Sequence, residues 1–371
     1  MKIFKRILMI FLLLIVAIVV AVFVFMQHPK FGKMPSGERL EKIKKSPHFQ
    51  DGKFQNLSIT PDLKEGVGYY TVMKEFFFNK SKRDKPATAL PSKKIDLLKL
   101  PPEEDILVWF GHSSYYLQLN GKKILVDPVL GGSASPVRFT TLAFTGTDVY
   151  TTDDIPPIDY LFITHDHWDH LDYETILKMK HKVGKIITGL GTGAHLEHWG
   201  FDTGMIIEKD WNESAILDPG FIVNFSPARH FSGRGFSRNG SLWMSFVFST
   251  PSKKIYIGGD SGYDSHFAKI GNDHGPFDLV ILECGQYNEY WKYIHMMPEE
   301  VVLAAIDLKA KKLMPVHWSK FSLALHDWDD PIIRVTKEAT LKNMPIVYPI
   351  IGEAVFLGKD EIFNNWWEQV K

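Results

Sequence analysis

The chain has 371 residues, with 43 Lys and Arg against 43 Asp and Glu and an apolar content of 45%. That length and apolar fraction allow one large core of about 250 residues plus an appendage. The even charge, with no basic track in the later part of the chain, excludes the footprint of a phosphate-backbone binder, so nucleic acid is not an expected partner.

Residues 7–26 form an uninterrupted apolar run, about the length that spans a bilayer as a helix. The sequence Phe23-Val24-Phe25-Met26-Gln27-His28-Pro29 offers no small-x-small cleavage site, so residues 1–26 read as an uncleaved single-pass membrane anchor. Basic residues flank both ends: Lys2, Lys5 and Arg6 before the run, Lys30, Lys33, Arg39 and Lys42 after it. The shortness of the leading tail favours a catalytic part on the extracytoplasmic side.

Residues 27–100 are punctuated by Pro29, Pro35, Pro47, Pro61, Pro86 and Pro91 and read as a linker and N-terminal extension. Within them, Tyr69–Phe78 is a helix or a strand, followed by the basic Lys80-Ser81-Lys82-Arg83-Asp84-Lys85. Two readings stand for this aromatic stretch: it packs on the catalytic core, or it lies on a lipid surface. From Asp105 onward, strands alternate with helices. Strands are predicted at Ile106–Phe110, Tyr115–Leu119 and Lys123–Val126, and helices near Tyr173–His181, Pro298–Leu308 and Pro331–Lys342. Residues 101–371 thus read as one catalytic domain of mixed α and β structure. The single cysteine, Cys284, follows the largely apolar Asp278–Glu283, permits no intramolecular disulfide and reads as a small buried hydrophobe.

The decisive feature is Thr164-His165-Asp166-His167-Trp168-Asp169-His170, delivered at the end of the apolar, β-rich run Asp159–Thr164. His165 and His167 are two apart, so on an extended backbone both imidazoles project to one side and can share an ion. Asp169 and His170 follow where the chain turns, and they suit a second ion nearby. Crowded histidines without a metal would repel on protonation. Imidazole and carboxylate donors without thiolate suit zinc, with iron or manganese as competitors.

Three further positions at predicted strand ends complete the ligand sets. His230 follows Phe221–Phe225 and would complete the first half-site; His317 follows Leu313–Val316 and would close the second. Asp260 follows Lys253–Gly259, whose terminal glycine pair lets the backbone come close to an ion, and its carboxylate can bridge both. His295, before Pro298-Glu299-Glu300, is placed to touch substrate or leaving group, while His112 in Gly111-His112-Ser113-Ser114 reads as a residue that orders its loop.

These words, together with Val126-Asp127-Pro128, Gly189-Leu190-Gly191, Pro227-Ala228-Arg229-His230, Gly259-Asp260-Ser261-Gly262-Tyr263 and Val316-His317-Trp318, occur in the order seen in the metallo-β-lactamase superfamily. Over roughly Pro101 to Leu357 the chain resembles its branch containing N-acyl-phosphatidylethanolamine-hydrolysing phospholipase D. The resemblance implies an αββα sandwich with the metals at one edge. It implies two zinc ions, one on His165, His167 and His230, the other on Asp169, His170 and His317, with Asp260 shared.

Paired ions lower the pKa of a bound water so that hydroxide bridging them is the nucleophile. Asp169 and Asp260 would orient it, and His295 would protonate the leaving group. The reading reached is a membrane-anchored, dinuclear phosphodiesterase of phospholipase D type, with a membrane lipid resembling N-acyl-phosphatidylethanolamine as substrate. A hydrolase of small phosphate esters or lactones is the alternative, and a non-catalytic, membrane-tethered metal-binding protein stands behind it.

Overall fold

Strands with apolar residues at every position need cover on both faces, and the central strands here are of that kind. Ile106–Trp109, Leu279–Glu283 and Leu313–Val316 are buried throughout. The computed structural model describes residues 1–370 and resolves this demand with two sheets packed face to face.

The first sheet has seven strands in the spatial order Ala354–Phe356, Ile106–Trp109, Tyr115–Leu119, Lys122–Val126, Ile158–Ile163, Val183–Gly189 and Ile206–Lys209. The second has six: Leu313–Val316, Leu279–Glu283, Lys254–Ile257, Ser245–Ser249, Phe221–Ser226 and Ser214–Asp218. Alternation sorts the side chains. Leu107 and Trp109 join the large core shared with Phe225, Phe246 and Phe248 of the other sheet. Ile106, Val108 and Phe110 turn outward onto a second cluster with Ile176 and Met179 of the helix Tyr173–Met179. Helices Pro298–Asp307 and Asp330–Leu341 cover the second sheet through Val301, Ala305, Ile332 and Val335. The layers are therefore α, β, β and α, as the resemblance implied. The predicted helix Tyr173–His181 stops at Met179, and Lys180–Lys182 tightens into a 3₁₀ turn.

Strand direction positions the site. In the second sheet, Phe221–Ser226, Lys254–Ile257, Leu279–Glu283 and Leu313–Val316 all run the same way, with Ser245–Ser249 antiparallel between the first two. In the first sheet, Ile106–Trp109, Lys122–Val126 and Ile158–Ile163 likewise share one direction. Their carboxyl ends gather at one edge of the sandwich, where His112, Asp127, the His165–His170 motif, His230, Asp260 and His317 follow.

Helix Lys2–Met26 has 25 residues and no buried side chain. At ~1.5 Å per residue it is ~37 Å long, and it is apolar enough to cross a membrane. Residues 27–100 wrap the sandwich instead of hanging from it. Ile43 and Phe54 are fully buried in the large core, the Leu90 amide donates to Thr145 O at 2.8 Å, and Arg83 pairs with Asp327 and Asp329. Of the two structures open to Tyr69–Phe78, the chain takes the helix.

Gly259, directly before Asp260, has φ +61°, and a β-carbon there would lie 2.8 Å from Thr164 Cβ and 2.9 Å from Met244 O. Both the left-handed backbone and the close approach require glycine. Gly259→Ala is expected to destabilise the protein by about 1–3 kcal/mol in chemical denaturation; unchanged stability would show that the turn before Asp260 tolerates a side chain.

Candidate metal centre

The motif loop begins where strand Ile158–Ile163 ends, and Asp127 fixes that end. Its carboxylate accepts from the Thr164 amide at 2.8 Å, from Thr164 Oγ1 at 2.6 Å and from His170 Nδ1 at 2.8 Å. The last bond turns His170 Nε2 inward. His230 is set in the same way: its Nδ1 donates to Ile294 O at 2.9 Å, and its amide and carbonyl are held by Asn56. His317 Nδ1 lies 2.8 Å from Ser113 Oγ. His112, Asp127 and His317 take left-handed φ angles of 52°, 40° and 68°, a cost of order 1–3 kcal/mol each that the surrounding packing sustains.

Two buried donor groups result. In the first, His165 Nε2 is 2.8 Å from His167 Nδ1, which is 3.2 Å from His230 Nε2. In the second, His170 Nε2 and His317 Nε2 lie 3.6 and 3.9 Å from Asp169 Oδ2. Asp260 sits between them: its Oδ2 is 3.8 Å from His165 Nε2, 3.6 Å from His230 Nε2 and 3.2 Å from His170 Nε2, while Oδ1 is 3.2 Å from His317 Nδ1. The structure thus brings together every ligand the sequence nominated. His112, which the sequence reading left outside the metal set, also borders the second group, its Nε2 3.0 Å from Asp169 Oδ2.

The residues fit metal ions on two grounds. Buried His170 Nε2 and Asp260 Oδ1 have no hydrogen-bond partner among the described residues, which is costly for groups out of water unless something else engages them. The donors are also imidazole and carboxylate at coordination-shell spacing. Burial, followed by the neighbouring rings, holds His165 well below the ordinary imidazole range, so its ring is neutral at pH 7 and free to donate a lone pair. Burial raises Asp169, but His170 and a hydrogen bond from His112 outweigh it and keep that carboxyl ionised. Asp260 is likewise kept ionised against burial, chiefly by His170 and His317.

His295 stands beside these groups, its ring centroid 5.0 Å from that of His230 and 5.3 Å from that of His317. Its Nδ1 is 3.3 Å from Oε1 of Glu283, a fully buried carboxyl that burial pushes up to about 7 despite the opposing pull of His295. Sequence reasoning missed Glu283, although an acid closing the apolar strand Leu279–Glu283 needs a partner. It also missed Asp166, whose carboxylate accepts from His195 Nε2 at 3.1 Å, Ser241 Oγ at 2.8 Å and the Gly233 amide at 2.6 Å. That residue pins the ligand loop from behind.

A cavity of about 360 Å³ opens over the donors. His167, Asp169, His230, Asp260 and His317 form its polar floor, while Val72, Phe76, Phe231, Trp291, Ile294 and Leu323 supply apolar walls.

Paired groups of imidazoles and carboxylates at one edge of an αββα sandwich, beneath an open cavity, define a metal-dependent hydrolase. The chain belongs to the beta-lactamase superfamily, the family model for its domain matching residues 122–318. An uncharacterized protein of Mycobacterium tuberculosis is 37% identical over 333 residues, 87% of each chain. N-acyl-phosphatidylethanolamine-hydrolyzing phospholipase D 1 of Caenorhabditis elegans is 29% identical over 232 residues, covering 59% of this chain and 65% of that protein. The structure of Igni18, a metallo hydrolase from Ignicoccus hospitalis, matches with a TM-score of 0.53 at 21% identity, over 68% of this chain and 97% of that one, a likeness of fold.

His167→Ala and Asp260→Asn are each expected to lower bound metal, counted by plasma mass spectrometry, and to reduce turnover to background. Full activity with metal retained would refute the ligand assignment. Asp127→Ala keeps every nominated donor but loses the acceptor that orients His170, and is expected to weaken metal affinity roughly 10–100-fold in a chelator competition.

Proposed function

We propose that this protein is a membrane-anchored, dinuclear metal-dependent phosphodiesterase that cleaves phospholipids of the N-acyl-phosphatidylethanolamine type. One observation carries the reading: a floor of metal donors lies under apolar walls in a single open cavity, which suits a substrate with an anionic phosphate and hydrocarbon chains. The likeness to the C. elegans phospholipase supports it over the shared part of the chain. So does helix Lys2–Met26, which would keep the site at a lipid surface, with the domain on the extracytoplasmic side.

His165, His167 and His230 would hold one ion, and Asp169, His170 and His317 the other, with Asp260 between them. Zinc is the metal these donors suit first. Bound there, the ions supply Lewis acidity and a water acidic enough to ionise near neutral pH. The chain's own groups do the rest. Asp169 and Asp260 orient the attacking water in line with the departing alkoxide. His295, held beside Glu283, carries the proton that the alkoxide takes as it leaves. The apolar walls exclude bulk water from the phosphoryl group and hold the acyl chains.

Full-length metal-quantified protein in detergent micelles, offered a phospholipid panel and read by mass spectrometry, is expected to release phosphatidic acid, with none from the His167→Ala variant. Silence on every lipid, with metal bound and a generic phosphodiester or lactone cleaved, would replace this reading with that of a small-molecule hydrolase.

A further inference from the structure

Helix Tyr69–Phe78 is apolar on two sides. Toward the domain, Val72 and Phe76 line the cavity, and Phe76 stacks on Trp291 with centroids 5.9 Å apart. Away from it, Tyr70, Met73, Phe77 and Phe78 are 81%, 57%, 75% and 80% exposed. A surface helix of a soluble enzyme ordinarily turns a polar face to water, and clustered exposed aromatics mark an interaction surface.

What covers that face follows from where the anchor leaves off. Gly235 lies against the last residue of helix Lys2–Met26: a β-carbon there would come 3.0 Å from Met26 Cε. The next residue, Phe236, is 84% exposed. Two residues further, Arg238 lines the cavity and donates to Asp62 Oδ2 at 3.0 Å, and the same oxygen accepts from Tyr69 Oη at 2.8 Å. The end of the anchor, an exposed phenylalanine, the cavity rim and the apolar helix are thus joined in one contiguous path.

The anchor is also fixed to the domain. Trp199 Nε1 donates to Pro29 O at 2.7 Å, the Lys33 amide donates to His195 Nδ1 at 3.0 Å, and Phe31 meets Trp168 edge to face at 5.2 Å. A domain tied this closely to its anchor cannot turn freely, so the same face always meets the membrane.

We propose that helix Tyr69–Phe78 and the Phe236 loop form a bilayer-docking surface, seated in the membrane that holds helix Lys2–Met26, so that the cavity over the metal centre opens directly to lipid. Tyrosine, wet at its hydroxyl and dry at its ring, suits the headgroup boundary, and phenylalanine suits the acyl layer just beneath it. This rests on the membrane-anchored reading above, and it holds whichever lipid bond is cleaved.

The test uses the full chain reconstituted into phosphatidylethanolamine and phosphatidylglycerol vesicles doped with N-acyl-phosphatidylethanolamine. Phe77→Cys and, separately, Tyr70→Cys are labelled with an environment-sensitive nitrobenzoxadiazole dye; both positions are exposed, and native Cys284 is fully buried and spared. Ile362→Cys is the control, being 96% exposed among residues at the amino ends of the strands, opposite the metal edge. Blue-shifted emission at 77 and 70, quenched severalfold by lipid carrying a shallow nitroxide, with water-like emission at 362, is expected. Water-like, unquenched emission at 77 and 70 would overturn the proposal. Shielded emission that spin-labelled lipid leaves unquenched would overturn it too, by placing a second copy of the chain on this face. Quenching at 77 with no phosphatidic acid released would leave the docking surface standing and remove the phospholipase reading.

Discussion

Imidazoles and carboxylates crowded out of water are the constraint around which this molecule is organised. His165, His170, His230, His317 and Asp260 are all at most 3% exposed, so each charge placed among them needs a partner within the group. If the rings are charged they repel one another, and if they are neutral the carboxylates are left without compensation. Cations between the two donor groups would resolve the conflict, and the surrounding bonds hold ring nitrogens inward where they could receive them. Asp127 and the Ile294 carbonyl engage the outward nitrogens of His170 and His230, and Ser113 Oγ steadies His317 through Nδ1. Without these partners the rings could rotate and satisfy themselves elsewhere.

The sandwich serves the same end. Its strands deliver donors at one edge because parallel neighbours share a carboxyl end, and the crossover helices that such strands demand lie on the outer faces, away from the site. Each ligand thus rides on a strand terminus backed by a close-packed core, which limits how far the donors can drift apart. Left-handed backbone at His112, Asp127 and His317 is the local cost of aiming side chains inward from strands that must also stop there.

Legibility in the sequence followed the range of the interaction. The His165–His170 motif was readable because its pattern is local: alternation along a strand places two rings on one side, and the apolar run before it announces the strand. His230, Asp260 and His317 each look ordinary alone, and only the shared order of short words tied them to the motif. Glu283 and Asp166 escaped altogether. Asp166 acts through His195, Ser241 and Gly233, partners separated from it by 29 residues or more, and no periodicity encodes that pairing. The proline-studded residues 27–100 read as linker because proline breaks helices, yet extended backbone with fixed φ also suits a segment that wraps a surface.

That wrapping segment changes what an anchor means here. A flexible tether only raises the local concentration of lipid, whereas Pro29, Lys30 and Lys33 bond to the elements that hold the ligand loop: Trp199, Arg234 and His195. Arg234 reaches both ways, donating to Lys30 O at 3.1 Å and to the Asp166 carbonyl at 2.8 Å, and its guanidinium lies over the Trp168 ring at 3.9 Å. Trp168 stands between His167 and Asp169, so one arginine connects the exit of the apolar helix to both donor groups. The exit of the apolar helix and the His165–His170 loop are therefore parts of one packed unit, and a displacement of residues 29–33 is felt first at the loop that carries the donors.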